Sequence, residues 1–344
     1  MCSTVQDIRK SFASLRVEKK LRHKEIARFL GITEAELIDA HVGVSKLDVI
    51  KSSPQLARAV RLKKHWIKLM PMVQRLGYVI SLARNTSAVH EVIGSYQHTY
   101  LENAVHKIVS DHLQLQLKSQ SWEFVYLFEE SKSNTVERSI QFFDELGRPV
   151  YKIFLLSDSH HWYFDEIAKR CGDTCQEPGI MIHDREDEVI EELVQGSRLN
   201  ELKELEEVRT KMLDAKSLRF VLGSAARNHL PLMIMVTNSA VHQTYQGPVH
   251  EMSEMQSWLH LIGPNFNLHL DLSNIAHIYL VHQSNRENIK SSIELLNDEG
   301  CAVAVISSSD HAEIEEIDMW QTLTHQSQFG EMRDRESDLM CTMD

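Results

Sequence analysis

From Gly77 onward the chain runs in short stretches that alternate apolar with polar residues or stay apolar for a few positions. Tyr78-Val79-Ile80-Ser81-Leu82, Leu113-Gln114-Leu115-Gln116-Leu117, Phe124-Val125-Tyr126-Leu127-Phe128 and Val150-Tyr151-Lys152-Ile153-Phe154 are each of strand length. A period of two marks a half-buried antiparallel strand. The stretch before them, up to about Leu69, has a helical pattern. Within it Gly31 suits the end of one helix, and Thr33 with Glu36 forms a capping box for the next. Residues 186 to 228 return to helix, with acid-rich pieces such as Glu191-Glu192-Leu193-Val194 and Leu202-Lys203-Glu204-Leu205-Glu206-Glu207, and strands resume at Pro231-Leu232-Met233-Ile234-Met235-Val236.

This order of helices, strands, helices, strands points to an internal repeat. Asn85-Thr86-Ser87-Ala88-Val89-His90 recurs as Asn238-Ser239-Ala240-Val241-His242, an offset of 152 from Ser87 to Ser239. One residue further the offset becomes 153, and it then holds without a gap for about fifty positions. Leu113, Leu115 and Leu117 fall on Phe266, Leu268 and Leu270. Ser139-Ile140-Gln141-Phe142-Phe143-Asp144-Glu145-Leu146-Gly147 meets Ser292-Ile293-Glu294-Leu295-Leu296-Asn297-Asp298-Glu299-Gly300. The shared positions are strand apolars and an Asp/Asn-to-Gly hairpin turn, the parts a duplicated fold must keep. The expected fold is α+β and internally duplicated, with two antiparallel sheet halves, each preceded by helices, in a pseudo-twofold relation. The boundaries read as an N-terminal repeat over 1–182 (helical lead-in 1–70, sheet 77–158), a C-terminal repeat over 183–325 (helical 186–228, sheet 231–310) and an acidic tail over 326–344.

Composition narrows the function classes. With 344 residues, 42% hydrophobic and 25% charged, the chain is globular and long enough for two domains. A formal net charge of −12 argues against phosphate-backbone binding by the whole chain. The helix-turn-helix-like segment around Gly31 carries Glu34, Glu36 and Asp39 on its second helix, so a packed αα-hairpin is favoured over DNA binding. No apolar leader opens the chain and no stretch is apolar enough to span a bilayer, so the expected location is the cytoplasm, without membrane insertion or nucleic acid. Five scattered cysteines suit a reducing compartment. Cys171 and Cys175, with His160 or His161 nearby, read as a loop rather than a zinc site. His90 and His242, apparent counterparts in the two repeats, read as turn-stabilising. No phosphate-binding Gly loop, nucleophile elbow, H-E-x-x-H or C-x-x-C is present.

Arg84-Asn85 with Val89-His90-Glu91, then Arg138-Ser139-Ile140-Gln141-Phe142-Phe143-Asp144, and later Trp258-Leu259-His260-Leu261-Ile262-Gly263-Pro264-Asn265-Phe266-Asn267-Leu268-His269-Leu270 resemble the cytoplasmic haemin-degrading factor (HemS/ChuS-type) family. The resemblance runs from the N-terminal helices to about Asp310. It implies stacked sheets and a haem cleft between a helix and the sheet of one half, with haem supplied by an ABC importer and then passed to a haem oxygenase or cleaved. It also implies a histidine axial ligand and an arginine on the opposite face, with basic groups pairing the propionates. The arginine position falls on Gln116. The axial histidine's region corresponds to Asp184–Glu192, which holds no histidine, and His183 is the nearest candidate to bind the iron. His282-Gln283 stands where the family has an Arg-Lys pair, and Ser307-Ser308-Ser309-Asp310 where it has Tyr-Gly-Gln-Arg. The expected protein binds or carries haemin, with His183, Gln116 and His282 as its contacts, and any enzymatic activity would be oxidative haem degradation. The alternative is a non-enzymatic regulatory or interaction protein that kept the duplicated fold and lost the haem site.

Overall fold

The computed structural model describes residues 4–47, 56–103, 105–132, 135–182, 198–204, 208–284 and 289–328. The chain forms two compact units, one of Met1–Asn85, Val89–Val194 and Thr237–Thr244, the other of Thr86–Ala88, Gln195–Val236 and Tyr245–Asp344.

The first unit opens with three helices, α1 (Val5–Glu18), α2 (His23–Leu30) and α3 (Glu34–Asp39). The expected punctuation is in place. Gly31 caps α2 at φ 66°, and Thr33 accepts from Glu36 N at 3.1 Å while its own N–H donates to the Glu36 carboxylate at 2.8 Å. Next come β1 (Ala57–Arg61), α4 (Trp66–Val73), β2 (Val79–Arg84), β3 (Ala88–Gly94), and the meander β4 (His98–Glu102), β5 (Val105–Val109) and β6 (Leu113–Lys118). Then β7 (Phe124–Lys132), β8 (Thr135–Phe143), β9 (Pro149–Leu155) and α5 (His161–Cys171) follow. Strands run antiparallel in the order β1-β7-β8-β9-β2-β3.

The second unit has α6 (Arg198–Glu204), β10 (Val208–Met212), α7 (Ala215–Arg227), β11 (Pro231–Thr237) and β12 (Val241–Pro248), whose first residues count with the first unit. The meander β13 (Glu251–Met255), β14 (Trp258–Gly263) and β15 (Phe266–Asp271) precedes β16 (His277–Ser284), β17 (Ile289–Leu296), β18 (Ala302–Ser308) and α8 (Ile314–Gln328). The antiparallel order β10-β16-β17-β18-β11 repeats that of the first unit.

The 153-residue offset carries into fine detail. The β8–β9 register shifts between Phe142 and Phe143, and the β17–β18 register between Leu295 and Leu296. Both hairpins then turn through a left-handed glycine, Gly147 at φ 70° and Gly300 at φ 77°, closed by Asp144 N to Arg148 O and by Asn297 N to Cys301 O, each 3.0 Å. Asn85 Nδ2 donates to Thr237 O at 3.1 Å and Asn238 Nδ2 donates to Arg84 O at 2.8 Å, the same bond in both copies. Asp271 N donates to Ser87 O and Lys118 N to Ala240 O, each at 2.8 Å, so Ser87 corresponds to Ala240 and the offset is 153 there, not 152. His90 is therefore the counterpart of Gln243 rather than of His242. Nor does His90 brace a turn: it is fully buried within β3, where Gln243 donates to its carbonyl at 2.9 Å.

Two expectations about the lead-ins need correction. The region 1–70 contains β1, and 186–228 contains β10; each is the outer strand paired to the first long strand of its sheet. Ala57-Arg58-Ala59-Val60-Arg61 has helix-favouring residues, and pairing with β7 overrides that propensity. At the other end α8 continues past residue 325, where a tail was expected, because Trp320, Leu323, Thr324 and Ser327 are buried along it.

The three N-terminal helices pack Phe12, Ile26, Leu37 and Ile38 on Tyr126, Phe128 and Phe143 of the sheet. Burying one such side chain is worth about 1.5–3 kcal/mol. The acidic residues of α3 face the same way. Asp39 accepts from Arg61 Nε at 3.0 Å, Tyr126 Oη at 3.0 Å, Gly179 N at 2.7 Å and Ile180 N at 3.0 Å. Glu34 pairs with Arg84 and, at 3.2 Å, with Lys152. Glu130 pairs with Arg16 and, at 3.1 Å, with His23. The acidity that argued against DNA contact is thus spent on docking the hairpin to the sheet.

Gly147 shows how tight that dock is. A Cβ there would lie 2.5 Å from Thr33 Oγ1 and 2.6 Å from Ile182 Cδ1, whereas a Cβ at Gly31, also left-handed, meets nothing within 4 Å. Gly147→Ala is expected to cost the backbone strain of about 1–3 kcal/mol plus displacement of the α3 cap, and Gly31→Ala the strain alone. Urea melts check this, and equal losses would refute the close dock.

The same interface sets an acid response. Burial alone would raise the Glu34 and Glu130 carboxyls. The Lys152 and Arg84 charges outweigh it at Glu34, and the His23 and Arg16 contacts at Glu130, bringing both down to about 2. Their contribution is complete above the ordinary 4.5 and is lost as pH falls through about 2. His41, buried against Phe12 and Phe128, is pushed by desolvation from 6.5 down to about 4. Its neutral form is favoured in the fold, so its contribution fades as pH falls from 6.5 to 4. Stability should therefore start to drop below pH 6.5 and drop further below 4.5. His41→Phe should remove about 3 kcal/mol of the first fall; parallel melting curves for both proteins between pH 7 and 4 would contradict this.

Candidate functional site

Gln116 lies in β6 with Leu115 and Leu117 buried on either side, so alternation turns its amide outward and it is exposed. It faces Lys107 of β5, which in turn faces Tyr100 of β4. Lys107 Nζ bonds Glu102 Oε2 at 2.5 Å, and that hydrogen bond raises its pKa. A neutral amide, an ammonium and a phenol thus cross three strands in one row.

His282 lies in β16 of the second unit, half-buried. Its register neighbours are Arg209 of β10 and Ser291 of β17. Nδ1 is 2.8 Å from Ser291 Oγ. The strand carrying Ser291 is held from above by α8, whose buried Trp320 donates Nε1–H to Ser291 O at 2.9 Å. Burial, then the charges of His325 on the same helix and of Arg209, hold the His282 imidazole below its ordinary 6.5. When the Ser291 hydroxyl donates to Nδ1, the proton of neutral His282 sits on Nε2 and remains a donor.

The equivalent place in the first unit carries opposite chemistry. Glu129, the counterpart of His282 at the 153 offset, is buried between Arg58 of β1 and Arg138 of β8, with Arg138 Nε 3.0 Å from its carboxylate. Arg138 also lies over the Phe164 ring of α5 at 5.4 Å and donates to His161 O at 3.3 Å. In the second unit the carboxylate has become His282 and the Arg138 position Ser291, while Arg209 remains. What is closed by ion pairs in one copy is a cluster of nitrogen donors in the other, suited to an anionic carboxylate.

Of the three residues expected at the site, Gln116 belongs to the first unit and His282 to the second. His183 lies outside the described residues. Arg209, Ser291 and His325 were not foreseen. Arg209 reaches His282 only because β10 is a strand, and nothing in its local sequence marks it as one; Ser291 could have been found as the 153-offset partner of Arg138. Cys171 is buried with Sγ 3.7 Å from Met72 Sδ, and Cys175 is exposed. His160 and His161 bond the carbonyls of Arg75 and Leu156, each at 2.9 Å. Among the described residues no three His, Cys, Asp or Glu side chains gather to hold a metal, and no helix is long and apolar enough to cross a membrane.

The model of the haemin-degrading HemS/ChuX domain matches the chain twice, over residues 31–171 and 196–326. The chain belongs to this haemin-degrading HemS/ChuX family. Curated relatives include hemin transport protein HemS of Yersinia enterocolitica, 24% identical over 307 residues (82% of this chain, 85% of that protein). Hemin transport protein HmuS of Yersinia pestis is 23% identical over 319 residues (84% and 89%). Among solved structures, holo-PhuS, described as a heme-binding protein from Pseudomonas aeruginosa, superposes with a TM-score of 0.79 at 24% identity, covering 94% of this chain and 98% of PhuS. ChuS, described as an E. coli heme oxygenase, gives 0.72 at 21%, covering 92% and 99%. The two family matches fall on the two halves of the repeat, and the solved relatives share the fold.

The His282 arrangement has its own check. By NMR the His282 imidazole should titrate below 6.5, and Arg209→Gln should move it part of the way back up. A titration unaffected by that substitution would remove Arg209 from its surroundings.

Proposed function

We propose that this protein binds haemin in the cytoplasm and carries it. The observation that supports this most strongly is the family match over both halves of the chain, 31–171 and 196–326. Relatives named as hemin transport proteins, and a structural relative described as heme-binding, support it further.

The proposed residues match the cargo in chemical kind. Haemin offers a flat apolar macrocycle, an iron that takes imidazole, and two carboxylates. In this reading His183 supplies the axial imidazole, and the Gln116 amide works at the other face with Tyr100 and Lys107 in its row. In the second unit, taken by itself, Arg209 and His282 are register neighbours and offer the kind of donors a carboxylate takes. In this reading the haemin comes from a membrane importer and either goes on to a haem oxygenase or is broken down on the protein itself. Where the carrier itself supports breakdown, the chemistry is oxidative and draws on an external reductant.

A haemin titration followed at the Soret band tests the reading. A shifted band that saturates with protein is expected; an unchanged spectrum at micromolar protein would end the proposal. His183→Ala should alter the band itself. His282→Ala should leave its position and weaken binding about tenfold, or about 1.4 kcal/mol.

A further inference from the structure

β14 and β15 form a tight hairpin whose register sets His260 directly opposite His269. The alternation leaves no freedom in where these rings point. Leu259 and Leu261 on one strand and Leu268 and Leu270 on the other are fully buried, so both imidazoles are turned to the opposite face, where they are half-buried. The rings meet edge to face, with centroids 4.7 Å apart and planes at 79°, and the two Nδ1 atoms are in direct contact. Ser253 of β13 continues the row beside His260. Glu251 and Asp271 lie on the same face, two positions along their strands from Ser253 and His269.

Two Nδ1 atoms that face each other must either share a proton or share a cation, since two lone pairs repel. In direct contact the two Nδ1 atoms share a proton, and a metal ion that replaces it, bound to each nitrogen at about 2.0–2.1 Å, needs only a small rotation of the rings on the same face of the hairpin. The first copy makes the pair more telling. At the 153 offset its residues are Lys107 and Gln116, neither an imidazole, in the same register on the same hairpin. The second copy carries histidine at both positions.

We propose that His260 and His269 form a two-imidazole site for a divalent transition-metal ion, independent of the residues assigned to haemin. Imidazole nitrogen suits Cu²⁺, Ni²⁺ and Zn²⁺, with copper the tightest of the three. Water fills the remaining positions, because no third His, Cys, Asp or Glu among the described residues joins the pair. Both Nδ1 atoms must give up their protons to ligate, so binding releases protons and weakens in acid.

The test uses the full-length, haem-free protein. Cu²⁺ titrated at pH 7.5 and followed by electron paramagnetic resonance should give one tight equivalent with nitrogen hyperfine structure, and calorimetry with Ni²⁺ should give one matching site. His269→Gln and His260→Lys each install the residue that the first copy carries at that place, so the hairpin is expected to fold. Each should weaken the first equivalent at least tenfold, and the double variant little more than either alone. Substituting His229 and His250, another touching ring pair in this unit, should leave it intact. Absence of a tight equivalent, or affinity unchanged in both single variants, would overturn the proposal. So would a shifted Soret response in His269→Gln with haemin, which would assign the pair to haem instead.

Discussion

Two adjacent carboxylates on β7, Glu129 and Glu130, constrain the first unit more than any other feature. A charge removed from water must be paired, or several kcal/mol are lost. Glu130 draws Arg16 of α1 and His23 of α2 onto the sheet, and Glu129 draws Arg58 and Arg138 from the flanking strands. Glu34 and Asp39 of α3 make the same demand from the helical side and are answered by Arg84, Lys152 and Arg61. Acids and bases thus come from both layers, so the hairpin cannot slide without stranding a charge. Hydrophobic burial of Phe12 and Leu37 supplies the attraction; the ion pairs fix the position.

In the second unit the two positions are His282 and Gln283. That exchange takes both buried carboxylates away from this place in the strand. It leaves Arg209 beside an imidazole that burial and neighbouring charge hold largely neutral at pH 7. One strand position therefore serves structure in one copy and offers hydrogen-bond donors in the other.

Much of this was legible in the sequence, and the legible parts share a cause. Leu113, Leu115 and Leu117, the Asp144-to-Gly147 turn and the Thr33–Glu36 cap each report a constraint satisfied within a few residues, so composition and spacing reveal them. β1 and β10 were hidden because their strand character comes from partners some seventy residues away. His90 was matched to His242 because two like residues one position apart outweigh a true equivalence between unlike ones, His90 and Gln243. The matching backbone bonds at Ser87 and Ala240 settle the register there. Of the site, the row through Gln116 and the place of His282 could be read from the repeat, whereas Arg209 and His325 join His282 through tertiary packing.

The two meanders show where such a scaffold is free to change. Slipping either hairpin by one residue would put its buried leucines in water, so the inward face is held by several side chains at once. Outward positions bear no such load. Tyr100, Lys107 and Gln116 cross the first meander, while Ser253, His260 and His269 cross the second in the same register. Backbone and core are common to both rows, so their chemical difference costs the fold little. New binding chemistry in a duplicated sheet is therefore best sought on outward rows where the two copies disagree.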